Sequence, residues 1–118
     1  MNILAIDTSC DETAVAITRD KQIVSSVVWS QASLHSSFGG VYPSLAQREH
    51  KLRIDWVTQK AIKLAGIEPE EIDAIAVTVG LGLAVALEIG INKAKELASK
   101  YKLPLIPVSH AESHLLIS

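Results

Sequence analysis

Two histidines stand four residues apart in the stretch His110-Ala111-Glu112-Ser113-His114. On a helix, positions i and i+4 share one face about one turn apart. Two neutral imidazoles at that spacing can grip one divalent metal. A stable protein site needs a third ligand or a fourth, and Leu115, Leu116, Ile117 and Ser118 supply no imidazole, thiolate or carboxylate side chain. The pair reads as half of a metal site, the alternative being an ordinary polar pair on a helix surface. It is not a zinc-protease arrangement, in which the glutamate directly follows the first histidine. Glu112 is two residues on and projects from a different face.

A second candidate is the polar stretch Asp7-Thr8-Ser9-Cys10-Asp11-Glu12-Thr13. Small side chains in a tight turn expose hydroxyls and backbone N–H groups that can cradle a phosphate or carboxylate. Asp7, Asp11 and Glu12 bring three carboxylates together, which repel unless a cation or water separates them. The competing reading is a hairpin turn using Asp and Ser for local side-chain bonds. Gly80-Leu81-Gly82 is a third candidate, because glycine before a helix lets a ligand approach the backbone at the helix N-terminus. It lacks both the dinucleotide fingerprint and the Gly-Lys-Ser/Thr of a P-loop. Cys10 reads as a structural thiol rather than a nucleophile, and His35 and His50 as solvated or loop-anchoring.

The elements that must position these groups follow from hydrophobic period. Ile3–Ile6, Thr13–Thr18 and Ile23–Gln31 read as three strands joined by short turns, an antiparallel meander. Apolar residues at helical spacing from Pro43 to Ala65 predict a helix, with Pro43 in its first turn and Gly66 at its stop. Ile72–Val79 is apolar on both faces, a buried strand. Leu83–Tyr101 reads as a long amphipathic helix, Leu105–Ser109 as a last buried strand, and His110 as the opening of another helix. A meander followed by two crossovers predicts an α/β fold, a mixed five-stranded sheet with helices on both faces. In such sheets ligands sit at the carboxyl ends of the strands. The polar turn after Asp7, the glycines after Val79 and the histidines after Ser109 all fall at such ends.

Composition bounds the rest. The 118 residues suit one domain, and 48% hydrophobic with 20% charged residues supports a packed core. Eleven Lys+Arg against 13 Asp+Glu, a net charge of -2, gives no electrostatic case for nucleic-acid binding by this stretch alone. One cysteine allows no internal disulfide, which points to a reducing compartment. Met1–Asp7 lacks the basic and long apolar regions of a signal peptide, and no apolar run is long enough to cross a bilayer. A soluble cytoplasmic protein with no membrane partner is the expectation.

Four segments taken together closely resemble the N-terminal half of the TsaD family: Ile6-Asp7-Thr8-Ser9-Cys10-Asp11-Glu12-Thr13, Gly39-Gly40-Val41-Tyr42-Pro43-Ser44-Leu45-Ala46-Gln47-Arg48-Glu49-His50, the stretch from Thr78 to Gly90, and Val108-Ser109-His110-Ala111-Glu112-Ser113-His114. The resemblance runs from Met1 to Ser118. It implies an actin-like (ASKHA, ribonuclease H-like) lobe spanning 1–118, the second lobe of the family's cleft being absent. The family transfers threonylcarbamoyl from threonylcarbamoyl-AMP to the adenosine next to the tRNA anticodon. By resemblance His110 and His114 are metal ligands, for iron or zinc, completed by an aspartate of the second lobe. Ser9, Asp11 and Glu12 carry over the loop that activity needs. No cofactor-binding residue for nucleotide can be placed here, since those contacts belong to the second lobe. This lobe alone is expected to be inactive as an enzyme, and the metal to be absent from it unless a partner completes the site. Implied partners are a TsaB-like paralogue, a TsaE-like ATPase and, for the complete protein, tRNA. Because TsaB pairs through N-terminal-lobe helices, a homodimer through Pro43–Ala65 and Leu83–Tyr101 is also expected. The rival reading is a non-catalytic interaction module pairing with such a partner or with itself.

The chain departs from the family pattern in three places. It has Gly80-Leu81-Gly82-Leu83 where the family reads Gly-Pro-Gly-Leu, Val85 where glycine is common, and Glu88 where an apolar residue is usual. The histidines and the first loop are untouched.

Overall fold

The computed structural model describes residues 1–8, 12–30, 43–79 and 84–109. It contains strands β1 (Asn2–Thr8), β2 (Glu12–Arg19) and β3 (Gln22–Ser30), then helix α1 (Pro43–Ala65). A single 3-10 turn (Pro69–Glu71), strand β4 (Ala74–Val79), helix α2 (Ala84–Tyr101) and strand β5 (Leu105–Ser109) follow. The strands form one sheet in the order β3-β2-β1-β4-β5. β1 runs antiparallel to β2 and β2 to β3, whereas β4 is parallel to both β1 and β5. The mixed sheet expected from the meander and two crossovers is the one observed.

Both described helices lie on one face. α1 packs on β2 and β3, α2 on β4 and β1, and the two helices pack on each other. Hydrophobic period alone predicts helices on both faces; among the described residues both helices lie on one, and the strand order gives the reason. Here the crossover β3-α1-β4 and the crossover β4-α2-β5 step across the sheet in the same direction. Right-handed crossovers that step the same way must place their helices on the same side.

Strand alternation sorts the two faces. Leu4, Ile6, Val15, Ile17, Val27, Ile75 and Val77 point toward the helices and join Ile54, Val57, Ala61, Ile89, Ala94 and Leu97 in a buried cluster. The other face is floored by small side chains, Ala5, Ala14, Ala16, Ala74 and Ala76. Buried Ser25 ties the edge strand to α1 by donating its hydroxyl to the Ala61 carbonyl at 2.8 Å. The guanidinium of Arg53 lies 5.0 Å from the Trp29 ring centre, a second link between the same two elements.

The connections follow local chemistry. Gly66, at φ +70°, stops α1 in the left-handed conformation that glycine adopts freely. α2 ends the same way with a lysine: Lys102 has φ +56°, the Leu103 N–H returns to the Ala98 carbonyl at 2.8 Å, and Pro104 bars further helix. Hydropathy predicts that β4 begins at Ile72. Instead Ile72 closes the 3-10 turn, donating its N–H to the Pro69 carbonyl, so the strand starts at Ala74. The amino end of β1 is laced to this turn, where Asn2 exchanges backbone and side-chain hydrogen bonds with Asp73 and Glu71.

The β2–β3 hairpin turns on Asp20 and Lys21, both at positive φ (51° and 71°), between the paired residues Arg19 and Gln22. Two positive-φ residues in a two-residue loop match the twist of the strands, and Asn-Gly is the favoured pair there. Lysine in that conformation is strained by its Cβ. Lys21→Gly is expected to raise unfolding stability by about 0.5–1 kcal/mol, read as a higher urea midpoint at unchanged slope.

Asp20 also accepts a hydrogen bond from the Met1 ammonium at 2.7 Å. That bond and the attached charge raise the amino group's pKa and lower that of Asp20. The pair's contribution is therefore lost as pH falls through the lowered carboxylate value, and lost again as pH rises through the raised amine value. Both groups are fully exposed, so its weight in stability is small.

Candidate functional site

The candidate site is the edge of the sheet where β1, β4 and β5 end. These three strands are adjacent and parallel, so their last residues, Thr8, Val79 and Ser109, lie along one edge. Two strand spacings separate the outer pair, about 10 Å. The segment after Thr8 begins with Ser9, the segment after Val79 with Gly80, and the segment after Ser109 with His110. The three stretches singled out in the sequence thus leave the sheet side by side, although about 70 and 30 positions separate them along the chain.

Of the residues expected to do chemistry, Glu12 is described. Ser9, Asp11, His110 and His114 lie outside the described residues, as does the glycine turn at 80–83. Glu12 is not in a turn: it is the first residue of β2, paired with Ser30 and exposed. Asp7 and Thr8 likewise belong to β1, paired with Ala14 and Thr13. The polar turn is therefore shorter than the sequence pattern predicts, because the Thr8–Thr13 pair carries the β1–β2 ladder one step beyond Asp7.

Alternation sets the side chains of this edge on opposite sides. Thr8 faces the helices, where a Cβ built on Gly90 of α2 would lie 2.5 Å from its Oγ1. Asp7 and Glu12 face the other way, onto the alanine floor. Thr78 joins them. One step past the registered pair Ile6–Val77 brings Thr78 of β4 alongside Asp7 of β1. The Thr78 Oγ1 is buried and has no hydrogen-bond partner among the described residues. A buried hydroxyl beside a carboxylate at the carboxyl end of parallel strands is a polar focus on the face away from α1 and α2.

In the sequence Thr78 and Gly90 are the ends of a glycine-bearing segment. Gly90 did carry a signal. A glycine inside a helix costs about 1 kcal/mol relative to alanine, so one retained among apolar neighbours marks a close approach. Thr78 carried none, since its neighbour Asp7 is set by strand order. Among the described residues no group of three or more His, Cys, Asp or Glu side chains could hold a metal ion. Also among them, no helix is long and apolar enough to cross a membrane.

Comparison with known proteins decides the family. The family model described as "TsaD: tRNA N6-adenosine threonylcarbamoyltransferase" matches residues 22–118. The chain belongs to the TsaD family. A tRNA N6-adenosine threonylcarbamoyltransferase of Thermomicrobium roseum is 53% identical over 116 residues, 98% of this chain and 32% of that protein. Proteins of the same description from Persephonella marina and Bacillus subtilis are 50% and 49% identical, covering 100% and 98% of this chain and 35% and 34% of theirs. The chain thus spans about a third of the length of these TsaD relatives.

Among solved structures, YeaZ from Pseudomonas aeruginosa superposes with a TM-score of 0.71 at 25% identity, over 92% of this chain and 45% of that one. The RuvC of T. thermophilus, solved in complex with a Holliday junction substrate, superposes at 0.55 with 11% identity over 95% of this chain and 66% of its own, a likeness of fold alone. The actin-like, ribonuclease H-like fold class implied by the sequence resemblance is the one observed.

Proposed function

We propose that this chain is the N-terminal lobe of a cytoplasmic tRNA N6-adenosine threonylcarbamoyltransferase, supplying one wall of its transfer site. The observation that carries the proposal is the edge where β1, β4 and β5 end together, from which the Ser9, Gly80 and His110 segments depart. On this reading His110 and His114 are two ligands of a divalent metal, iron or zinc. The donor set suits such an ion: neutral imidazoles at i and i+4 match borderline metals and leave positions open. His110 directly follows the last residue of β5 in sequence. When bound, such an ion supplies Lewis-acid polarisation of a carbonyl oxygen.

The chain's own residues then have definite tasks. Ser9 and Asp11 of the loop, and Glu12 on the first rung of β2, stand beside the reacting groups. Asp7 and Thr78 form the polar floor next to them. Attack by the adenosine amine on the carbamoyl carbon breaks the bond to the adenylate phosphate oxygen, and AMP leaves with that electron pair. The amine gives up a proton, which a carboxylate of the loop can accept. On this reading the other lobe of the cleft brings the aspartate ligand and the nucleotide contacts.

A second reading, an interaction module pairing with a TsaB-like partner or with itself, draws support from the outer stripe of α1. Trp56 is 48% and Leu64 60% exposed. With Gln59, Lys60 and Lys63 they line a shallow cavity, and the Lys60 ammonium lies 4.8 Å from the Trp56 ring centre. Large apolar side chains kept at the surface of a helix suit a helical partner. A TsaE-like ATPase would join through that partner.

Titration of the purified chain with zinc or iron(II) separates the readings. Saturable binding at one equivalent, with the weak affinity of a two-imidazole site and lost in both His110→Ala and His114→Ala with the fold retained, is the expected result for a transferase lobe whose third ligand comes from the other lobe. No saturable binding by the parent chain at millimolar metal overturns the metal assignment and leaves the interaction module.

A further inference from the structure

We propose that the cavity between α1 and α2 binds a small aromatic or branched aliphatic monocarboxylate. This cavity lies at the other end of the molecule from the candidate site. It opens beside the 3-10 turn, the start of β4 and the end of α2, where Pro69, Ile72 and Tyr101 border it. Its volume is about 220 Å³. An apolar cavity of about 150 Å³ holds a benzene ring, so there is room for a ring or branched chain plus one head group.

The lining divides in the way such a ligand requires. Ile62, Ile72 and Leu97 provide apolar walls, and Thr58, Lys93 and Lys100 provide donors. Thr58 is only 3% exposed, and its Oγ1 has no hydrogen-bond partner among the described residues. A helical threonine ordinarily donates to the carbonyl one turn back, and this one does not. Lys93, whose side chain is 13% exposed, reaches Asp55 at 2.7 Å and Glu96 at 3.5 Å. An ammonium has three N–H donors, and these two carboxylates engage at most two. Lys93 already answers Asp55 and Glu96, whereas Lys100 has no carboxylate partner among the described residues and is the cation left for a ligand. A head that only accepts hydrogen bonds and carries one negative charge, a carboxylate, satisfies the Thr58 hydroxyl and that charge together. A neutral or cationic head does not.

Saturation-transfer NMR and calorimetry with benzoate, benzamide and benzamidine on the 118-residue chain test the proposal. Benzoate is expected to bind saturably at one site, at least about tenfold more tightly than benzamidine, a ratio set by reversing the head-group charge. Thr58→Val keeps the side-chain shape and removes the hydroxyl; it is expected to weaken benzoate about fivefold, the worth of one hydrogen bond. Ile62→Trp fills the cavity from its partly exposed wall and is expected to abolish binding with the far-UV CD spectrum unchanged. A cavity that holds water only, shown by no saturable benzoate signal, overturns the proposal. Equal binding of benzoate and benzamidine does so too, as does benzoate binding unchanged in either folded variant.

Discussion

Gly90→Ala is expected to destabilise the protein by about 1–2 kcal/mol although it improves helix propensity. The added Cβ would lie 2.5 Å from the Thr8 Oγ1, 3.3 Å from its Cγ2 and 3.4 Å from the Ile6 Cγ2. The first distance is far inside van der Waals contact, so something must move. Thr8 cannot easily do so: it is β-branched and stiff about χ1, 1% exposed, and fixed in the ladder opposite Thr13. Overpacking of this kind costs about 1–3 kcal/mol, against which exchanging Gly for Ala in a helix returns up to about 1 kcal/mol. The helix must therefore lift from the end of β1, the strand end from which the Ser9 segment departs. Removing the opposing atoms tests the cause. Thr8→Ala combined with Gly90→Ala is expected to be more stable than the sum of the single changes predicts, by about 1 kcal/mol or more, because the residues are in contact. Additive urea midpoints would remove the contact as the explanation.

Leu4→Ala has the largest expected effect, a loss of about 3–4 kcal/mol. Leu4 is fully buried in β1, the central strand, with Ile17 of β2 and Ile75 of β4 beside it in register. It faces the layer that both helices cover, so neighbours on several elements surround it. Deleting three carbons there forfeits transfer free energy and leaves a cavity that a sheet pinned on both sides cannot close; the range for such changes is about 2–5 kcal/mol. For a domain whose total stability is about 5–15 kcal/mol, that is a large fraction. Chemical denaturation should show the midpoint falling at constant slope. Ala5→Gly, one residue along on the opposite face, serves as the comparison: it removes one methyl from the alanine floor and should cost about 1 kcal/mol.

The family, the succession of elements and the spacing of the two histidines were legible in the sequence, because each depends on residues near one another in the chain. Helical period from Pro43 to Ala65 marked α1 to its observed bounds, and Leu105–Ser109 marked β5. Element ends were less secure where two local forces compete. Ile72 looks like strand by hydropathy, yet Pro69 and the Glu68–Glu71 capping box draw it into a 3-10 turn. Glu12 looks like turn by composition, yet ladder pairing with Ser30 claims it for β2.

What only the tertiary structure decided is which distant residues become neighbours. Strand order put β4 beside β1, and with it Thr78 beside Asp7 and the His110 segment two strands from the Ser9 segment. The same order sent both crossovers one way, which placed α1 and α2 on a single face, opened a cavity between them and pressed Gly90 against Thr8. Period and propensity report on a few residues at a time; pairing across the sheet is chosen by the total burial it achieves, a quantity no short stretch contains.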